Sequence, residues 1–145
     1  MANLEPSSPP PVSHILETAL YVAELEASKQ FYRRIFGFAP IFENERMCAM
    51  EVPGSAVLLL FLHDRSLLPS AIPGGIVPPH GGQGALHVCF AIPKPSLDAW
   101  LAHLAAERVS IESQVTWRYG GVSIYFRDPD GHSVEIATPG LWANY

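Results

Sequence analysis

Positive charge is scarce in this sequence. Nine Lys and Arg stand against fourteen Asp and Glu, a formal net charge of −5 with the six His neutral. Nucleic-acid partners are bound by basic surfaces that neutralise phosphates, so this balance excludes them. Cysteine is nearly absent: Cys48 and Cys89 occur without a C-x-x-C spacing. Two such residues make no disulfide framework and are expected as reduced thiols in a reducing compartment. Long apolar runs are also missing. The longest, 56–62, is far short of the ~20 residues a membrane helix needs, so no membrane association is expected. There is no G-x-G-x-x-G, no P-loop and no nucleophile motif of a hydrolase. Residues 1–12 lack the basic start and apolar centre of a signal peptide. With prolines at 9–11 they are expected to form an extended, poorly ordered arm. A cytoplasmic protein is the resulting expectation.

What is present is enough apolar matter for one core. In 145 residues, 48% are hydrophobic and 16% charged, a balance typical of folded rather than disordered chains. A chain of this size buries a core without disulfide staples. The apolar pattern occurs twice. Residues 14–22 alternate as a strand. Residues 24–36 carry Phe31, Tyr32, Ile35 and Phe36 at helical spacing, with acids first, arginines last, and Gly37 as the stop. Strands follow near 38–43, 46–52 and 56–62. The second half repeats the order: a strand near 85–92, a helix near 95–108, and strands near 111–117, 121–126 and 133–137. D-P-D-G at 128–131 reads as a structural turn. The predicted architecture is α+β, two βαβββ modules forming an open, cleft-containing, barrel-like sheet. Module one covers 13–63 and module two 84–140, within one domain over 13–140. Between them, 63–84 holds four prolines and five glycines and is expected to be a linker or a lid.

The repeat aligns chemically competent residues. Glu17 opens the first strand as His87 opens the fifth, and Leu59 falls opposite Glu135. Alternation puts Glu17, Ala19 and Tyr21 on one face. It does the same for His87, Cys89 and Ala91, and for Ser133, Glu135 and Ala137. Thr18, Leu20, Val88, Phe90, Val134 and Ile136 point the other way, toward the helices. A carboxylate inside an apolar strand needs a partner. If the halves pack about a pseudo-twofold axis, Glu17, His87 and Glu135 converge, and a divalent cation would balance two carboxylates and a neutral imidazole. Three protein ligands leave open positions for water or substrate. Other readings stay open at this point. Glu17 reads equally as a salt-bridged edge residue, His87 as a core histidine, and Glu135 as the partner of Arg118 or Arg127. His14, His63, His80, His103 and His132 show no such registry, and His80 and His103 read as solvated or local.

The segments L-Y-V-A-E-L-E-A-S-K-Q-F-Y-R-R-I-F-G-F at 20–38, G-A-L-H-V-C-F-A-I at 84–92 and S-I-Y-F-R-D-P-D-G-H-S-V-E-I at 123–136 carry a family resemblance. Over about 14–140 the chain resembles the vicinal oxygen chelate superfamily. That group includes glyoxalase I, extradiol dioxygenases, fosfomycin-resistance enzymes, methylmalonyl-CoA epimerase and bleomycin-resistance proteins. The resemblance implies a metal in the cleft, with His87 as the fifth-strand ligand and Glu135 as the last-strand ligand. Glu17 stands where most enzymatic members have histidine, and Leu59 where glyoxalase I has glutamate. A Glu17, His87, Glu135 set suits Fe, Mn, Ni or Zn, and Mg among the hard ions. Glu17 is then a ligand or a catalytic general base.

The implied function is a divalent-metal-dependent enzyme, dioxygenase or glyoxalase/lyase-like, acting on a small substrate chelated through adjacent oxygens. Leu59 tilts this slightly toward chemistry without glutathione. Phe61, Arg118 and Tyr125 are the substrate-binding candidates, and a homodimer is the implied assembly. The alternative is a metal-free ligand-sequestering protein of the bleomycin-resistance type.

Overall fold

Alternation in E-T-A-L-Y-V turns Leu20 and Val22 inward, and the chain forms strand β1 over Glu17–Val22 in the computed structural model, which describes residues 8–145. Helix α1 follows over Leu25–Phe36 and buries Ser28, Phe31, Tyr32 and Ile35. Gly37 stops it in the left-handed conformation (φ 72°), and its N–H donates to the Arg33 carbonyl. This is the cap that glycine forms without a Cβ penalty. Strands β2 (Pro40–Glu43), β3 (Met47–Val52) and β4 (Ala56–Leu62) complete a four-stranded sheet of order β1-β4-β3-β2, with β1 and β4 parallel.

The second half builds the same object. It comprises β7 (His87–Ala91), α2 (Leu97–Ala106), β8 (Ser113–Thr116), β9 (Val122–Arg127) and β10 (Ser133–Ala137), in the order β7-β10-β9-β8. The strand registers repeat across the two sheets, except that β2 carries a bulge between Pro40 and Phe42 that β8 lacks. Ala19 pairs with Leu59 in β4, as Cys89 pairs with Glu135 in β10. Ala49 then faces Leu59 as Tyr125 faces Glu135. The architecture is α+β with separate sheets and no closed barrel.

The segment expected to be a linker or lid contains a further element. Strands β5 (Ser70–Ile72) and β6 (Gly75–Val77) form a hairpin. Its base is closed where the His80 N–H donates to the Ser66 carbonyl and the Ser66 hydroxyl donates to the His80 carbonyl. Three-residue strands give too short an alternation to stand out among prolines and glycines. Of the arm expected over 1–12, residues 1–7 lie outside the described residues, and 8–12 are exposed without regular structure. No helix among the described residues is long and apolar enough to cross a membrane. Cys48 and Cys89 are both free thiols.

One core serves both modules. Leu20, Leu58, Leu60 and Met50 from the first sheet join Val88, Ile124, Phe126, Val134 and Ile136 from the second. Phe36 bridges them, with ring centroids 4.7 Å from Phe90, 5.4 Å from Trp100 and 6.1 Å from Phe126. The D-P-D-G turn has the structural role expected of it, and its acids staple the modules together. Asp130 accepts from the Ala23 N–H (2.7 Å) and the Ser28 hydroxyl (3.0 Å). Asp128 accepts from the Tyr32 hydroxyl at 2.9 Å. His132 takes the Leu86 N–H on Nδ1, so its Nε2–H donates to the Tyr21 carbonyl at 2.7 Å. His103, read from sequence as solvated or local, ties α2 to α1 by donating from Nε2 to the Ile35 carbonyl at 2.9 Å.

The Tyr32 to Asp128 bond gives a stability prediction. Tyr32→Phe leaves a buried carboxylate oxygen without that donor, a cost of about 1–3 kcal/mol, read as a lower urea midpoint. Burial holds the Asp128 carboxyl above the ordinary aspartate range, against hydrogen bonds from His132 and Tyr32 that pull it down. With the folded value raised, this group's stability contribution is full below the ordinary aspartate pKa and declines as pH rises through the folded value. The Tyr32→Phe penalty is therefore expected to be larger at neutral pH than in acid. An equal penalty at both would show that Asp128 is not the group affected.

Candidate metal and substrate site

The outward face of the second sheet carries the chemistry. His87 opens β7 on this face, and Glu135 lies in the middle of β10, paired across to Cys89 and to Tyr125. The carboxylate of Glu135 is almost wholly buried, with its side chain 4% exposed, while that of His87 is 52% exposed. His87 Nδ1 lies 2.9 Å from the Ser133 carbonyl. A carbonyl can only accept, so Nδ1 carries a proton, and in its neutral form the ring presents a lone pair at Nε2. That lone pair faces Glu135 Oε2 at 3.1 Å. The other oxygen, Oε1, is buried and has no hydrogen-bond partner.

Two acceptors cannot face each other at 3.1 Å unless a positive charge joins them. A proton on Nε2 does so, giving an imidazolium–carboxylate pair. A divalent metal ion held by both side chains would do so equally. Backbone fixing of the remote ring nitrogen is the usual support of a ligating histidine. The unpartnered Oε1 adds a second lone-pair donor in the same place. The residues present therefore fit a divalent cation. Nearby groups feel the carboxylate. Burial, and then Glu135, push the Cys89 thiol up to about 12. Burial and then Glu135 also raise the Tyr125 phenol. Tyr125 lies with its ring centroid 6.2 Å from that of His87. Both groups stay protonated at neutral pH.

Glu17 does not join the pair within one chain. It is exposed at the start of β1, level with Val57 and Glu51 on the first sheet. Among the described residues, no three His, Cys, Asp or Glu side chains gather into a metal-binding group. The expected convergence of Glu17, His87 and Glu135 fails in one chain for a packing reason. The shared core lies on the helix side of both sheets, so the faces bearing Glu17 and Glu135 look away from it and do not oppose each other. Leu59 occupies the position equivalent to Glu135, as the repeat requires.

The substrate-binding candidates separate. Tyr125 is beside Glu135. Phe61 sits on the outward face of the first sheet, packed edge-on against His80 at 4.5 Å and stacked near Tyr21 at 6.0 Å. Arg118 lies exposed between β8 and β9, 5.8 Å over the Tyr119 ring, and makes no ion pair with Glu135. Arg127, the other arginine considered for Glu135, binds Glu112 instead. His80 is held by Tyr21, whose hydroxyl lies 2.7 Å from Nδ1, rather than solvated. Sequence reading missed the Ser133 carbonyl, which has no side-chain signature. It also missed Arg46 and Arg65, whose proximity depends on the hairpin.

Comparison with known proteins places this geometry in context. The model of the Glyoxalase/Bleomycin resistance protein/Dioxygenase superfamily matches residues 13–136. The chain is 29% identical over 131 residues to the metallothiol transferase FosB of Shouchella clausii, covering 88% of this chain and 81% of that protein. It is 28% identical over 129 residues to the catechol-2,3-dioxygenase of Bacillus subtilis, covering 86% of this chain but only 41% of the enzyme. Among solved structures, the lactoylglutathione lyase from Agrobacterium tumefaciens superposes with a TM-score of 0.84 at 34% identity, covering 92% of this chain and 99% of that one.

Proposed function

The chain belongs to the glyoxalase/bleomycin resistance protein/dioxygenase superfamily, and from that membership we propose that it is a divalent-metal-dependent enzyme acting on a small substrate chelated through adjacent oxygens. One observation carries the proposal: a buried carboxylate with one unpartnered oxygen, whose other oxygen lies 3.1 Å from an imidazole nitrogen. His87 and Glu135 would hold the ion, with Fe, Mn, Ni and Zn all compatible with nitrogen and oxygen donors. When bound, such an ion supplies Lewis-acid polarisation of the substrate oxygens. Tyr125 offers a protonated hydroxyl beside Glu135 to orient a bound oxygen.

The third ligand, in this reading, is Glu17 of a second copy of the chain. A homodimer that sets the first sheet of one protomer against the second sheet of the other brings the two outward faces together. The apolar surface around Glu17 supports this. Ile15 and Leu16 precede it and are 80% and 57% exposed. Such a surface favours burial against a partner. Within that dimer Glu17 serves as ligand or as the carrier of a proton.

Elemental analysis of protein purified without chelator or polyhistidine tag tests the metal. About one ion per chain is expected in the parent. In His87→Ala, affinity is expected to fall by more than the ten- to hundredfold seen when a supporting group is lost. If the parent stays metal-free after incubation with Mn²⁺, Fe²⁺, Ni²⁺ and Zn²⁺, the enzyme reading fails. The metal-free sequestering protein then takes its place.

A further inference from the structure

The β5–β6 hairpin stands over the outward face of the first sheet and forms one wall of an open cavity of about 190 Å³. Its apolar walls come from Phe61 on the sheet and from Leu68, Ile72 and Val77 on the hairpin segment. Arg46 and Arg65 line it as well, and no Asp or Glu does. Among the described residues, neither arginine has a carboxylate within ion-pair distance. Arg46 is positioned from the hairpin side, donating from Nη2 to the Ser70 hydroxyl at 2.9 Å. In a chain of net charge −5, a largely apolar cavity lined by two cations and no acid favours an anionic ligand with an apolar body.

We propose that this cavity binds the non-reacting end of the substrate, and that this end is a compact apolar body carrying a carboxylate. Size supports a small ligand, since the volume is below the ~300–1,000 Å³ of pockets that hold drug-sized molecules. The carboxylate meets guanidinium groups, whose planar donors match it better than any other side chain does. Phe61 faces Tyr21 and Met47 across the sheet, and Glu17 is four residues before Tyr21 on β1. At ~3.3 Å per residue the cavity and Glu17 are therefore about 13 Å apart on one face. A substrate seated in the cavity extends along the sheet toward Glu17. The assignment as a substrate end rests on the proposed function. The binding of an apolar anion does not.

The test uses chelator-treated full-length protein, so that metal chemistry plays no part. Phenylacetate is titrated against its neutral isostere phenylacetamide, and against acetate, with binding read from amide chemical-shift changes in β4 and the hairpin. Phenylacetate is expected to bind about tenfold more tightly than the amide, as a charge-assisted contact requires, and more tightly than acetate. Arg46→Gln and Arg65→Gln are surface changes, and one or both are expected to abolish that preference with the fold intact. Equal binding of acid and amide, or a preference unchanged in both variants, would overturn the proposal. Loss of metal binding with anion binding intact would sink only the metal reading. Metal binding without anion preference would sink only this one.

Discussion

Mixing two defective proteins is expected to restore metal binding that neither possesses. Glu17→Ala loses the ligand proposed to come from a second protomer, and His87→Ala loses one of the pair held on β7 and β10. After co-refolding, half of the dimers are mixed. Each mixed dimer combines an intact Glu17 from one chain with an intact His87 and Glu135 from the other. Its second site lacks both residues. About a quarter of the parent's sites should therefore return, as two-fold symmetry dictates. Metal content after gel filtration reads this directly, with native mass spectrometry confirming that chains have exchanged. Exchange without recovery would refute a site shared between chains. Full metal binding by Glu17→Ala alone would remove Glu17 from the ligand set.

Glu135→Met should separate stability from metal binding in opposite directions. In the metal-free protein Glu135 is a buried carboxylate whose Oε1 has no partner. Replacing a buried ion pair by apolar side chains is often neutral or stabilising, by about 1–4 kcal/mol, and the cost of removing one partner comes from leaving the other charge buried and unpaired. His87 is not orphaned by the change, because its ring is half exposed and keeps its bond to the Ser133 carbonyl. The apo variant is therefore expected to melt higher than the apo parent. Adding metal at a hundred times its dissociation constant should stabilise the parent by about 2.7 kcal/mol and leave the variant unmoved. Thermal unfolding with and without Mn²⁺ or Zn²⁺ measures both effects. A variant that still responds to metal would remove Glu135 from the ligand set, and one that melts lower in the apo state would show that its carboxylate stabilises the fold.

Much of this is legible in the sequence. The duplicated pattern fixes which strand residues are equivalent, and the registers of Ala19 with Leu59 and Cys89 with Glu135 agree with it. Helix ends were readable because Gly37 has a local reason to be where it is. That Glu135 needs a partner followed from the cost of burying a carboxylate alone; the choice of His87 over Arg118 or Arg127 did not. The location of Glu17 did not follow, because periodicity tells which face a side chain takes within its module and nothing of how two modules dock. That docking depends on Phe36 meeting Phe90, Trp100 and Phe126, and on Asp128 and Asp130 reaching back to α1. Such contacts lie as many as 102 residues apart. The hairpin was hidden for the opposite reason: its strands are too short to show a period.

The shared core also governs how the molecule opens. Because Phe36 and Tyr32 from the first module are anchored to groups of the second, neither module has a complete interior of its own. Residues 13–63 expressed alone would expose the ring of Phe36 and the hydroxyl of Tyr32 without partners. In native-state hydrogen exchange, the slowest amides of β4 and of β10 should share one opening free energy, since two sheets with a common interior form a single cooperative unit.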